Sequence, residues 1–516
     1  MMPLSRRDFL RLGGLTAAAA SVTSCSVVSR YAAQEELPDT LAVPTAVPTG
    51  SAPSTAPVDG FPTVTVNAIQ RLLNRAGYGP RPGDLERAAD MGFEAYLEEQ
   101  LDPDSIEDTA ADLIVRDLNY YHMDIDQLIG RDDNRDFMVE LTTATVGRAV
   151  YSKRQLYEAM VEFWSDHFNI YIRKNAIMLP LKLVDDRDVI RPNALGKFRD
   201  LLFASAKSPA MLVYLDNVRN VKSDPNENYA REIMELHTLS VDAGYTQQDV
   251  QELARALTGW GSAIRGRQQG GFVFHADQHD NGSKQILDLT LPAGQGEEDV
   301  YQALEMLATH PSTARFISYK LVRHFVADEP PDTLVEQVAQ TFLDTDGDIK
   351  SMLRVIFLSE EFATAPPKLK RPYSYLISAM RALNADISNY RGFIYWLESM
   401  GQLPFNWAAP NGYPDVSAAW IANLLPRWNF ALTFLSTDTP GARVPLERLI
   451  GAGQVSDTAD ALDLFAGLIY GAPLGTADRA LFTDYVGSDP LRNRETTLRL
   501  RDAIALMLAS PPFQWM

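Results

Sequence analysis

The sequence predicts a mainly α protein: a large multi-helix globular domain, in one or two lobes, with a small β-hairpin insertion. Three observations predict it. Apolar residues recur at helical spacing from about residue 65 to the end of the 516-residue chain. Capping and stop residues bracket those runs. One stretch, Gly271–Leu287, breaks the pattern with alternating aromatics and an Asn-Gly turn at Asn281-Gly282. A chain of this length exceeds what one compact core usually supports, which is the reason for expecting two lobes or two domains. Its 46% hydrophobic and 22% charged residues are those of a globular protein. The formal net charge of −20 argues against a nucleic-acid partner, because binding phosphates needs a basic field.

The N-terminus reads as targeting, not fold. Arg6 and Arg7 in Ser5-Arg6-Arg7-Asp8-Phe9-Leu10 form a twin-arginine export signature, followed by a modestly apolar run too short to span a bilayer. Val22-Thr23-Ser24-Cys25 resembles a bacterial lipobox, so residues 1–25 are expected to be a signal peptide with Cys25 as the lipidated residue. Cys25 is the only cysteine, which excludes an internal disulfide and any multi-thiolate metal site. Residues 26–62 are rich in Pro, Ala, Ser and Thr and are expected to be a disordered tether. The predicted location is the cell envelope, with the body at residues 65–516 held to a membrane through the N-terminal lipid.

In the body, helices are predicted at about Ala68–Ala76, Pro82–Leu101, Tyr151–Ile170 and Ala194–Leu215, then, after the central stretch, at Asp299–Leu307, Thr313–Val326, Leu334–Leu343 and Ile349–Leu358. The central stretch, SDPNENYAREIMELHTLSVDAGYTQQDVQELARALTGW at 223–260, reads as a helical hairpin. Asp224 is positioned to cap a helix over Pro225–Leu239, with Ala230, Ile233, Met234, His237 and Val241 as its buried stripe. Gly244 ends that helix and Thr246 with Asp249 starts the next, whose inner face is Val250, Leu253, Ala254 and Leu257. Glu227, Arg231 and Glu235 recur every four residues, which is either an ion-pair row or one wall of a site. Glu232 and Glu235 could share a cation. Glu235 and His237 could not, being about 200° apart on an unbroken helix.

Two more groups carry chemistry. If the arm at Gly271–Leu287 is extended, His275, Asp277 and His279 share one face, which is either a divalent-metal arrangement or a polar hairpin rim. His167 ends an aromatic helix, and Glu162 and Asp166 lie one turn apart in that helix. The aromatic C-terminal loop with Trp407, Tyr413, Trp420 and Trp428 is either a stacking surface or helix packing. Phosphate loops, nucleophile elbows, zinc helices and haem sites are missing from the sequence.

The pieces RLLNRAGYG (71–79), EFWSDHFNI (162–170), PNENYAREIMELHTLSVDAGYTQQDVQELARALTGW (225–260), FVFHADQHDNGSKQIL (272–287), HPSTARFISYKLVRHFVADEPP (310–331), TDGDI (345–349) and NGYPD (411–415) run in order over nearly all of 65–516. In them the chain resembles the bacterial family called domain of unknown function 1800. The resemblance implies a mainly helical fold and no reaction. It also implies a partner: an exported, sulfatase-like protein of domain of unknown function 1501. The positions matching the family's polar motifs are Trp164, His167, Asn226, Glu227, Asn228, Arg231, Glu232, Glu235, His237, His279 and Asp280.

Two functions follow as expectations. One is a non-catalytic surface module or scaffold in the cell envelope. The other is an exported, metal-dependent enzyme with a His/Glu/Asp-lined pocket. There His167, Arg231, Glu232 and Glu235 would be catalytic, and His167, Glu232, Glu235, His279 and Asp280 would hold a divalent metal.

Overall fold

The computed structural model describes residues 37–38, 40–42, 67–263, 270–436 and 441–516. The twin arginines and Cys25 lie outside the described residues. Helices dominate, and the strands form three small antiparallel two-stranded sheets. The helices used below are α1 (Ala68–Arg75), α2 (Gln155–His167), α3 (Glu227–Glu232), α4 (Gln247–Ala256), α5 (Pro311–Phe325), α6 (Pro372–Ala382), α7 (Leu424–Leu435) and α8 (Arg494–Ala509).

Two large hydrophobic cores, with two smaller clusters beside them, organise the described residues. The first is built on α1 to α5 and includes Trp164, Phe168, Phe198, Ile233, Leu253, Leu321 and Phe357. The second is built on α6 to α8 with helices from 109–151, and includes Tyr375, Leu376, Phe430, Phe434, Leu462 and Ile504. One of the connections between them is the strap Lys368–Arg371, which enters α6 and is itself pinned by the C-terminal residues. Leu369 bridges Trp515, Lys368 N donates to Met516 O (3.0 Å) and Lys370 N donates to Gln514 O (2.9 Å).

The central hairpin forms with a shorter first helix than the spacing implies. Asn226, not Asp224, is the cap, accepting from Asn228 N at 2.9 Å, while Asp224 closes a tight turn with Val221. After α3 the chain continues as one π-helical turn, Ile233–His237, and stops. Thr238 Oγ1 donates to Ile233 O at 2.7 Å, satisfying a carbonyl that the widened turn releases. Ala230, Ile233, Met234 and His237 are buried as expected. Val241, 62% exposed, is not, because the helix has already ended. Thr246 and Asp249 form the predicted capping box of α4, and Val250, Leu253, Ala254 and Leu257 are buried.

The hairpin region also departs from expectation. β1 (Trp260–Ser262) pairs with β2 (Phe272–Phe274), and the turn joining β3 (Lys284–Ile286) to β4 (Leu289–Leu291) falls at Leu287-Asp288. Extended structure stops at Phe274, so His275, Asp277 and His279 do not share a strand face. Asn281-Gly282 makes no hairpin; Gly282 N is held by Asp280 Oδ1 at 2.8 Å. β5 (Asp386–Ile387) pairs with β6 (Ala442–Arg443).

Within the expected tether, Leu37 and Leu41 seat against the second core, and Leu41 N donates to Ala452 O at 2.8 Å. Two leucines in a Pro- and Ala-rich stretch supply enough apolar surface to dock it locally.

The early end of the central helix has a measurable consequence. Met234→Ala should destabilise the protein by about 2–5 kcal/mol in chemical denaturation, whereas Val241→Ser should stay within about 0.5 kcal/mol of wild type.

Candidate functional site

The polar motifs converge where the two cores meet. One turn of α2 presents Glu162 and Asp166 on the same face. Between them lies Arg371, the residue preceding α6. Its Nη2 donates to Glu162 Oε1 at 2.6 Å and its Nη1 to Asp166 Oδ2 at 2.7 Å. Tyr78 Oη donates to Glu162 Oε2 at 2.9 Å. Asp166 ends with its carboxyl raised to about 6 by burial, with Arg371 pulling it down and Glu162 pushing it up. Beside this pair is a cavity of about 20 Å³ lined by Tyr78, Glu162, Ser165, Asp166, Arg191 and Tyr373, room for about one water.

The aromatic loop closes over the same place. Gly412 is in the left-handed region (φ +71°), and a Cβ there would stand 2.1 Å from Asp166 O, so the loop lies directly on the end of α2. Three residues on, Asp415 accepts from His324 Nδ1 at 2.7 Å and from Lys368 Nζ at 3.0 Å. Burial opposes its charge, but Lys368 and His324 outweigh burial and hold the carboxyl well below its ordinary range. Tyr413 and Trp420 are buried and pack with Leu369, which fills the loop from within.

The third part is a buried basic cluster. His167 Nε2 donates to His237 O at 3.1 Å, and its Nδ1 accepts from Lys320 Nζ at 2.8 Å. Those partners fix the neutral tautomer. Burial, reinforced by Lys320 and His237, holds the His167 imidazolium far below its ordinary stability. Burial and Lys320 bring His237 down to about 3. Lys320 falls to about 8 through burial, resisted by Asp166 and Asp415. The π turn is what swings His237 inward to this point. Its Nε2 is buried with no hydrogen-bond partner among the described residues. The cluster therefore buries one amine and two imidazoles against one another, with Lys320 and His167 sharing a hydrogen bond.

The remaining predicted site residues lie elsewhere. Arg231 pairs with Glu227 (3.1 Å) on the half-exposed face of α3, where Gln247 Nε2 also reaches Glu227 at 2.6 Å. That is an ion-pair row tying α3 to α4. Glu232 and Glu235 are half-buried there, and Glu232 is raised by burial and by Glu235. His279 is bound to Thr258 O (2.8 Å) and Asp299 Oδ2 (3.2 Å), and Lys284 shares that carboxylate at 2.6 Å. Asp280 is clamped by Arg255 (2.8 Å), whose hydrogen bonds take its carboxyl down to about 2. These contacts fasten the hairpin region to α4. His167, Glu232, Glu235, His279 and Asp280 therefore occupy three places. Among the described residues no three His, Cys, Asp or Glu side chains are grouped to hold a metal ion.

A family model described as a protein of unknown function, DUF1800, matches residues 71–515. The chain belongs to the DUF1800 family. No curated protein and no solved structure matches it. In this DUF1800 chain the RAGYG, EFWSDHF and NGYPD pieces, separate in sequence, meet around Arg371. Arg371, Lys320 and Lys368 went unnoticed in the sequence. A signal was present: Lys368, Lys370 and Arg371 precede a helix N-terminus in an acidic chain. Cations there oppose the helix dipole unless carboxylates answer them.

Arg371→Met leaves Glu162 and Asp166 buried without their cation. It should cost about 3–5 kcal/mol, and the loss should shrink below about pH 5, where Asp166 is protonated. Gly412→Ala should cost about 1–3 kcal/mol or more through strain and the clash on Asp166 O. His237, with a folded value depressed to about 3, contributes stability that is present above its unfolded value of about 6.5 and lost as pH falls towards 3. Thermal melts across that window should decline less steeply for His237→Gln than for wild type.

Proposed function

We propose that this DUF1800 protein is an exported, lipid-anchored module of the cell envelope whose helical body binds or scaffolds without turning over a substrate. The observation that supports this reading is how the motif side chains are used. Glu162, Asp166, Arg371, His324, Lys368 and Asp415 answer one another in a part-buried network at the join of the two cores. His279 and Asp280 are likewise committed to internal partners. Such a network fixes the relative placement of two cores, which is what a scaffold needs. In this reading the partner is the exported sulfatase-like protein of domain of unknown function 1501.

A second reading is favoured by one observation, the unpartnered His237 Nε2 beside the His167–Lys320 pair. In an enzyme, Lys320 with its value near 8 would be the proton carrier and His167 would hold its amine in place. A divalent-metal form of that enzyme would need Glu232 and Glu235 brought to His167. Elemental analysis of the purified protein separates the two: a stoichiometric metal, lost in His167→Ala, would favour the enzyme.

Location is tested by fractionation. Replacing Arg6 and Arg7 by lysine should strand the precursor in the cytoplasm. Cys25→Ala should move the protein from the membrane fraction to the soluble one without changing its melting temperature. Cys25→Ala protein that stays in the membrane pellet after a salt wash would overturn the anchor.

A further inference from the structure

The second core carries a helix that is turned inside out. α7, LLPRWNFALTFL, has a single charged residue, Arg427, and it faces inward, fully buried, with Nη1 on Gln514 Oε1 at 2.9 Å. Outward, at intervals of four, three and four residues, stand Ile421 just before the helix (51% exposed), Leu425 (64%), Trp428 (44%) and Leu432 (51%). A surface helix normally shows the reverse arrangement. α8 runs antiparallel beside it, since Trp428 Nε1 donates to Ala509 O and Arg501 Nη1 to Leu435 O. That puts exposed Leu506, one turn before Ala509, next to Trp428. The α7 stripe has no carboxylate on it, in a chain of net charge −20, and exposed Asp502 of α8 lies one turn before Leu506.

What covers this face follows from the chain's own leash. Leu37 and Leu41 are docked on the same core, and Leu41 is tied to Ala452. Only 12 residues separate Cys25 from Leu37, and at about 3.3–3.6 Å each they reach no more than about 43 Å. A body the size of this half of the chain has a radius of gyration of roughly 16 Å. A lipid on Cys25 therefore keeps the second core beside the bilayer, near enough for any of its faces to touch. Tryptophan with aliphatic neighbours is the composition that settles at the membrane–water interface, and a stripe free of carboxylates avoids the repulsion that the rest of this acidic surface would meet there.

We propose that the outward face of α7, with Leu506 of α8, rests in the interfacial layer of the bilayer that holds the lipidated Cys25. The proposal rests on the lipid-anchored reading above and adds the surface and orientation with which the body meets the membrane.

The test uses the full lipidated protein in vesicles of phosphatidylethanolamine and phosphatidylglycerol with brominated acyl chains. Trp428 emission is taken as the difference between wild type and Trp428→Phe. It should be quenched in wild type, and the quenching should be lost in the double variant Leu425→Asp with Leu432→Asp, which should still float with the vesicles and melt as wild type does. Protein that floats while Trp428 stays unquenched would overturn the proposal and leave the anchor standing. Protein that fails to float with Cys25 intact would overturn the anchor and the proposal together. A wild-type dimer in detergent that the double variant turns into a monomer would assign the face to a second copy and overturn the membrane as occupant.

Discussion

Arg371 divides its guanidinium between two carboxylates that belong to the other half of the molecule, and the join of the two cores depends on that division. Glu162 and Asp166 come from α2 in the first core, while Arg371 opens α6 in the second. Two half-buried carboxylates one helical turn apart repel each other, and each needs a cation within reach. The fork of the guanidinium satisfies both at once, which a lysine could not do. Buried ion pairs of this kind add little net stability over apolar packing, but removing one partner is costly. Their effect is therefore on specificity: one relative placement of the cores satisfies every charge.

The rest of the seam follows from that constraint. The strap that delivers Arg371 also delivers Lys368 to Asp415, so the aromatic loop is held by the same backbone segment that joins the cores. Gly412 lets that loop lie on the carbonyl of Asp166, and the π turn after α3 brings His237 to the far side of α2. Both of these irregular features sit against α2. Backbone departures of this kind persist where the surrounding packing over-determines them.

The two cores differ in what they present outward. The first carries most of the polar motifs, with His167, His237 and His279 turned inward and the Glu227–Arg231 row half-exposed. The second carries an apolar helix face and the docked residues of the N-terminal segment. Burying Arg427 while exposing Leu425 and Leu432 makes no sense for a face that meets only water. It becomes reasonable for a face that meets something apolar.

Much of this was legible in the residues. Helical spacing located α1 to α5, the capping box at Thr246 and Asp249 began α4 where expected, and Glu162 with Asp166 could be placed on one face of α2. These are local properties, set by residues within a turn or two of one another. The end of the central helix was not legible, because a π turn costs local hydrogen bonding that only tertiary contacts around His237 repay. The separation of His167 from His279 and Asp280, and the pairing of Arg371 with residues some 200 positions earlier, were also decided by packing. Charge pairing across such a distance has no periodic trace, since any carboxylate can answer any arginine until the cores are docked. By itself the sequence determined the mainly α class and the elements whose partners lie within one turn; only the tertiary structure decided which distant charges meet, because burial selects among pairings that are equivalent in the unfolded chain.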